Sequence, residues 1–314
     1  MSMEQFGTAD MNIAASANIV NSAPRQLGHL QIGPLGFGCW RLVGEDTNAA
    51  STRIEQALDL GMTLIDNADV YGLDWGGEAF GESEILLGNV LAQTPTLRSK
   101  MVLASKGSIL PGVPYVADAA YLNAACDASL ERLQTEHIDL YQIHRPDMFT
   151  HPAETAAALD QLVEAGKISM IGVSNYNLAQ LRALHEHLKA PLVSLQREYS
   201  ASQLEMLRDG ALDLCMETGM TPLIWSPLAG GAVVTGEGLR PELIVALDGL
   251  ADRENVDRAA IAIAFILAHP AQCVPIIGSQ SSQRLKAICS ALSVRLTRSD
   301  VYKLIEACEG VALP

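Results

Sequence analysis

The sequence predicts an α/β protein folded as one (β/α)8 barrel of the TIM type. Three observations carry that expectation. Short apolar runs alternate with helical patterns from residue 35 onward, and they number eight. The runs are apolar on both faces, as in VLAS, IDLYQI and MIGV, which suits a parallel sheet covered by helices. Polar side chains stand at the C-terminal ends of several runs, and that rim is where such barrels place their chemistry.

Residues 1–24 contain Met, Ser, Ala and Asn, with no basic stretch leading into an apolar run. They read as a poorly ordered leader rather than a secretion signal. The barrel is expected over residues 25–314. RQLGHLQIGPLGFGCW opens it as a hairpin turning near Gly28, followed by a strand at 35–38. A helix from Thr47 to Leu60 stops at Gly61, a C-terminal capping residue. Strands follow near 64–66, 101–106, 138–143, 170–174, 193–197, 221–225 and 273–277. Helices are expected near 83–92 (capped by Ser83), 118–133, 153–165, 177–188, 203–217, 257–268 and 281–290. Two further helices, near 241–255 and 298–309, exceed the bare repeat. No linker rich in Pro, Gly or Ser divides the chain, so one domain is expected.

Composition narrows the function classes. The chain has 314 residues, a hydrophobic share of 49% and a net charge of −15. That charge, without basic patches, argues against nucleic acid or an anionic membrane as partner. No apolar run reaches about 18 residues, so a membrane span is not expected. Cys39, Cys126, Cys215, Cys273, Cys289 and Cys308 are scattered without CxxC spacing, which suits a reducing, cytoplasmic setting. His185 and His187, two apart on a helix, point to different sides and make poor co-ligands, so no metal is expected. No GxGxxG follows a strand, so a Rossmann domain has no support.

Asp66, Tyr71, Lys106 and His144 close or follow three successive strands, in GMTLIDNADVYG, MVLASKG and IDLYQIHRPD. A carboxylate, a phenol, an amine and an imidazole converging on one rim form a candidate proton-transfer set. Singly, each has a bland alternative: a lysine that snorkels, a tyrosine that packs, a histidine that is merely satisfied. Their order and the five-residue step from Asp66 to Tyr71 favour the functional reading.

On these residues the chain resembles the aldo-keto reductase superfamily, and IHRPD and PIIGS place the resemblance in its bacterial-type branch. It runs over roughly residues 25–310, with Asn67 where the family usually has Thr. The resemblance implies an NADPH-dependent oxidoreductase that reduces a small aldehyde or ketone, with Tyr71 as acid/base. Lys106 would favour the phenolate left by proton transfer, Asp66 would hold Lys106, and His144 would orient the substrate oxygen. Ser174, Asn175 and Gln196 match positions that hydrogen-bond the nicotinamide carboxamide. Trp225 matches an aromatic stacked on its ring, and Ser226 and Leu228 match positions at the pyrophosphate. Ser279, Gln280 and Arg284 match the surroundings of the 2′-phosphate, although Gly278 stands where strongly NADPH-selective relatives carry Lys. Ala287 and Ile288 replace the Glu and Asn that often meet the adenine side. NADH is therefore a possible second cofactor. Trp40 and Trp75 are expected to line the substrate pocket.

Two other readings use the same residues. Lys106 could form an imine in an aldolase-type lyase, or the chain could bind a nicotinamide cofactor as a redox sensor or auxiliary subunit. The first leaves Ser174, Asn175, Gln196 and Arg284 without a task. The second leaves the four-residue set without one. The sequence specifies no oligomeric state.

Overall fold

Side chains alternate along a strand at two-residue spacing, so each barrel strand sends every second residue inward. The computed structural model describes residues 16–73 and 76–313. The barrel strands are β3 (Gly36–Gly38), β4 (Leu64–Asp66), β5 (Val102–Gly107), β6 (Ile138–Ile143), β7 (Ile168–Ser174), β8 (Leu192–Glu198), β9 (Thr221–Trp225) and β10 (Val274–Ile277). They close in the order β10-β3-β4-β5-β6-β7-β8-β9, parallel throughout. The expected (β/α)8 fold is the observed one.

Before the barrel, β1 (Arg25–Leu27) and β2 (Leu30–Ile32) pair as an antiparallel hairpin. Gly28 turns it with φ 55°, and a Cβ there would lie 2.6 Å from Met170 Sδ. The hairpin therefore packs against the barrel interior, where Leu27 and Ile32 join Leu64, Leu140, Met170 and Leu223 in one buried cluster. A larger cluster lies between the outer faces of the strands and the helices. Within the segment expected as a leader, residues 1–15 lie outside the described residues. Beyond them, Ile19 N donates to Leu296 O and Asn21 N to Leu267 O.

The helices are α1 (Thr47–Asp59), α2 (Glu82–Gln93), α3 (Ala119–Leu133), α4 (Pro152–Glu164), α5 (Leu178–His185) and α6 (Ala211–Thr218). They continue as α7 (Ala232–Thr235), α8 (Pro241–Glu254), α9 (Arg258–Leu267), α10 (Ser282–Cys289) and α11 (Arg298–Glu309). Asp46 caps α1 by accepting from Asn48 N and Ala49 N, and Gly61 follows its end at φ 80°. The two extra helices are α8 and α11. Among the described residues no helix is long and apolar enough to cross a membrane.

Two expectations are corrected. The helix expected over 203–217 is a short 3-10 turn, Glu205–Leu207, followed by α6; Gly210, left-handed at φ 82°, breaks the periodicity. Ser83 does not cap its helix. Gly81 holds that position at φ 81°, while Ser83 is buried and donates from Oγ to Cys39 O at 2.9 Å. That bond ties α2 to the loop after β3.

Helices α2 and α3 meet at Gly88, where an added Cβ would sit 2.1 Å from the Arg132 carbonyl oxygen. Backbone cannot rotate away as a side chain can. Gly88→Ala is therefore expected to destabilise by about 1–3 kcal/mol, despite a helix-propensity gain of about 1 kcal/mol. Gly249 of α8 has nothing within 4 Å of its added Cβ, and Gly249→Ala is expected to stabilise by roughly 0.5–1 kcal/mol. Thermal and urea unfolding of both variants check the opposite signs.

Candidate active site

The inward stripes change character toward the C-terminal rim. Asp66 stands above Leu64 on β4, Lys106 above Ala104 on β5, and Gln142 above Leu140 on β6. The apolar members of these pairs belong to the interior cluster. The three polar side chains are buried on top of it.

Lys106 is the hub. Its Nζ donates to Asp66 Oδ2 at 2.7 Å, to Asn67 O at 2.8 Å and to Tyr71 Oη at 3.1 Å. Three acceptors use all three N–H groups of an ammonium. Burial alone disfavours the charged amine, but the Asp66 charge and the contact with Tyr71 outweigh it and hold Lys106 above the ordinary lysine range. Asp66 Oδ1 accepts from Gln196 Nε2 at 3.0 Å and from Gln142 Nε2 at 3.2 Å.

Tyr71 lies on the loop after β4. Its carbonyl accepts from Ser83 N and its own amide donates to Ala68 O. Burial pushes the Tyr71 hydroxyl above the ordinary phenol range, while the Lys106 charge pulls it down and the Asp66 charge raises it. The expected lowering by Lys106 is present, but burial exceeds it. The His144 ring meets Tyr71 edge to face, with centroids 5.8 Å apart. Burial, then the Lys106 and Arg145 charges, hold the His144 imidazole well below the ordinary histidine range. Its Nδ1 is buried without a hydrogen-bond partner, which leaves Nε2 as the nitrogen available to a substrate.

The expected carboxamide set is contiguous with these groups. Ser174 ends β7, and Asn175 follows in the left-handed region at φ 61°. Asn175 Nδ2 donates to Ser174 Oγ at 2.8 Å and to His144 O at 3.2 Å. The Trp225 indole N–H donates to Asn175 Oδ1 at 3.1 Å. Ser226, at φ 53°, begins a tight turn in which its Oγ accepts from Gly230 N, and Leu228 O accepts from Gly231 N.

After β10, the strand next to β9, Ser281 caps α10 by accepting from Arg284 N. Ser279 Oγ accepts from Ser281 N, and Gln280 Oε1 is buried without a partner. Arg284 is exposed and makes no ion pair with the described residues. An unpaired guanidinium in the first turn of a helix is a fitting place for an anion. Trp40 is half-buried beside Arg41, whose guanidinium lies 5.4 Å from the Trp40 ring centre. Trp75 lies outside the described residues. Among them, no group of His, Cys, Asp and Glu could hold a metal ion.

Sequence reasoning missed Gln142. The usable signal is strand periodicity: it lies two residues before His144 on the inward stripe, and its backbone is in register with Lys106.

A family model described as the aldo/keto reductase family matches residues 34–309. A 6-dehydroglucose reductase of Novosphingobium aromaticivorans is 43% identical over 295 residues, spanning 92% of this chain and 97% of its own length. A 6-dehydroglucose reductase of Agrobacterium fabrum is 33% identical, spanning 90% and 96%. Among solved structures, a thermostable aldo-keto reductase in complex with the inhibitor epalrestat superposes with a TM-score of 0.78. That match has 25% identity and covers 91% of this chain and 99% of the other.

His144 yields a pH prediction. An unfolded histidine protonates near pH 6.5, and the folded His144 does so only well below that. As pH falls through 6.5 the unfolded chain binds a proton that the folded chain does not, so this residue's share of stability is lost on acidification. Nitrogen NMR of the ring at pH 6 should show a neutral imidazole. An imidazolium signal there would refute the assignment.

Proposed function

The chain belongs to the aldo/keto reductase family, and from that membership we propose that it reduces an aldehyde to an alcohol with NADPH, Tyr71 delivering the proton. The observation that carries this reading is the row Asp66–Lys106–Tyr71, a buried ion pair reaching a half-buried phenol, with contacts of 2.7 and 3.1 Å. When bound, NADPH supplies the hydride to the carbonyl carbon. The protein must then supply a proton to the carbonyl oxygen and stabilise what remains.

Tyr71 Oη is that donor. A phenol in a buried site gives up its proton reluctantly, and a phenolate there is tolerated only beside a cation. Lys106 provides the cation, and Asp66 keeps Lys106 charged and in place. His144, neutral at working pH, donates from Nε2 to the carbonyl oxygen and orients it. Ser174, Asn175 and Gln196 hold the carboxamide, so that one face of the nicotinamide is turned to the substrate. Trp225 lies against the ring, and the turn at Ser226 and Leu228 approaches the pyrophosphate. Ser279, Gln280 and Arg284 receive the 2′-phosphate, with Arg284 as the charged partner.

The imine reading fits the geometry poorly. An attacking amine needs a free lone pair, and Lys106 is held as an ammonium by three acceptors. For the substrate, both relatives named above are called reductases of 6-dehydroglucose, a hexose with its carbonyl at C6. We extend that class, a polyhydroxylated aldehyde, to this chain. Trp40 offers an aromatic face and Arg145 a charged donor beside His144, which suits a sugar's C–H face and hydroxyls.

Steady-state reduction of a hexose 6-aldehyde and of hexanal, each with NADPH, tests the proposal. The sugar should have the higher kcat/KM, by about tenfold or more, because unmatched polar groups in a site penalise the analogue lacking hydroxyls. Tyr71→Phe should lower turnover by about 10²- to 10⁴-fold while still binding NADPH. Hexanal as the better substrate would overturn the substrate class, and near-normal turnover by Tyr71→Phe would overturn the proton donor.

Cofactor choice follows from Arg284. NADPH should bind more tightly than NADH, and Arg284→Ala should narrow the gap by about tenfold, the worth of a charge-assisted hydrogen bond. Fluorescence titration with both cofactors measures it. Equal affinities in the unmutated protein would contradict the assignment.

A further inference from the structure

The inward stripe of β6 carries Leu140 and then Gln142, both without solvent exposure. An apolar residue at the second position would be the less costly choice for a barrel core. The Gln142 Oε1 is buried and accepts no hydrogen bond, a defect that costs stability because the oxygen has given up water for nothing. The other end of the amide offsets this: Nε2 donates to Asp66 Oδ1 at 3.2 Å. That contact also sets the amide's orientation, because turning it over would press Oε1 against a carboxylate.

We propose that Gln142 is a positioning residue for the reduction: by holding Asp66 it sets how far the Asp66–Lys106 pair favours the Tyr71 phenolate. The inference rests on the reduction chemistry proposed above, and two physical effects support it. The first is geometric. Asp66 Oδ1 is engaged by Gln142 and Gln196, so only Oδ2 faces Lys106. A carboxylate free to rotate would present both oxygens to the ammonium. Held as it is, it leaves Lys106 the N–H that reaches Tyr71 Oη at 3.1 Å.

The second effect is electrostatic. The Asp66 charge opposes a phenolate at Tyr71, and the Lys106 charge favours it. The positive end of the Gln142 amide, placed on Asp66 Oδ1, cancels part of the opposing charge. Without it the phenolate is less favourable and Tyr71 becomes a weaker acid.

Gln142 and Gln196 make the same contact from different places. Gln196 is also one of the residues proposed to hold the carboxamide, so replacing its side chain removes that contact together with the bond to Asp66. The Gln142 side chain hydrogen-bonds only to Asp66 among the described residues. Its removal therefore isolates the effect on the ion pair.

The test is the pH profile of kcat/KM for Gln142→Met in the full-length enzyme, with NADPH affinity and thermal unfolding measured alongside. Methionine keeps the length and removes the donor. NADPH affinity should stay within about twofold, since no cofactor-binding contact is removed. Carbonyl reduction should fall about tenfold, and its high-pH limb should move up by about half a unit or more, because Tyr71 holds its proton longer. The limb of alcohol oxidation should move in the same direction. Gln142→Leu, smaller and likewise without a donor, should move the limbs in the same direction; it serves alone if the methionine variant does not fold. Unmoved limbs, or a parallel loss of NADPH affinity and rate, would make Gln142 a packing residue and overturn the proposal. A wild-type protein without carbonyl turnover would instead remove the parent reading, and this inference with it.

Discussion

The ion pair between Asp66 and Lys106 is the constraint on which the upper half of the barrel depends. Two charges taken out of water are tolerated only when their remaining hydrogen-bonding capacity is met, since desolvation can exceed their mutual attraction. Here all three Lys106 N–H groups have acceptors, and Asp66 has donors on both oxygens. Meeting that demand recruits four residues from three places: Asn67 and Tyr71 after β4, Gln142 on β6 and Gln196 on β8. The polar layer above the apolar interior is thus the set of partners the pair requires. Tyr71 is one of those partners, so the structural requirement falls on the same atom that is proposed as the proton donor.

A second carboxyl on the same loop shows how position decides acidity. Asp69, three residues beyond Asp66, is also buried, but neither of its oxygens has a hydrogen-bond partner. Burial, followed by the nearby Glu84 charge, raises its carboxyl well above the ordinary range. The carboxylate that bears on Tyr71 is instead Asp66, held by three donors. Asp69 contributes through its backbone, whose N–H donates to Lys106 O at 3.0 Å and pins the loop to β5.

Much of this was legible in the sequence because strand ends are legible. Once eight apolar runs alternate with helices, the rim follows from the fold, and Asp66, Lys106 and His144 fall on it by counting. What escaped depends on orientation within an element. A run such as IDLYQI reads as apolar on both faces, and that reading hides Gln142 among neighbours that face outward. Its partner Asp66 is 76 residues away. The helix expected across 203–217 failed because Gly210 adopts a left-handed conformation that propensity alone does not weigh. Ser83 was mistaken for a cap because a serine near a helix start has two uses, and only tertiary contact with Cys39 O selects between them.

The residues proposed to hold the carboxamide and those proposed for proton transfer are joined by hydrogen bonds. Gln196 bridges them through Asp66, and Asn175 bridges them through His144 O, its own amide fixed by the Trp225 indole. Asn175 cannot turn its amide over without losing both the Trp225 donor and the two acceptors of its Nδ2. Orientation of the carboxamide set is therefore settled before any ligand arrives, and a bound ligand need not supply the ordering. The same connectivity means that contributions on the two sides do not add. A change at Gln196 alters the proposed carboxamide contact and the support of Asp66 together, so its effect on rate cannot be divided between binding and chemistry by a single substitution. Gln142, which touches the ion pair alone, and Arg284, which lies apart from this network, are the residues through which the two halves separate.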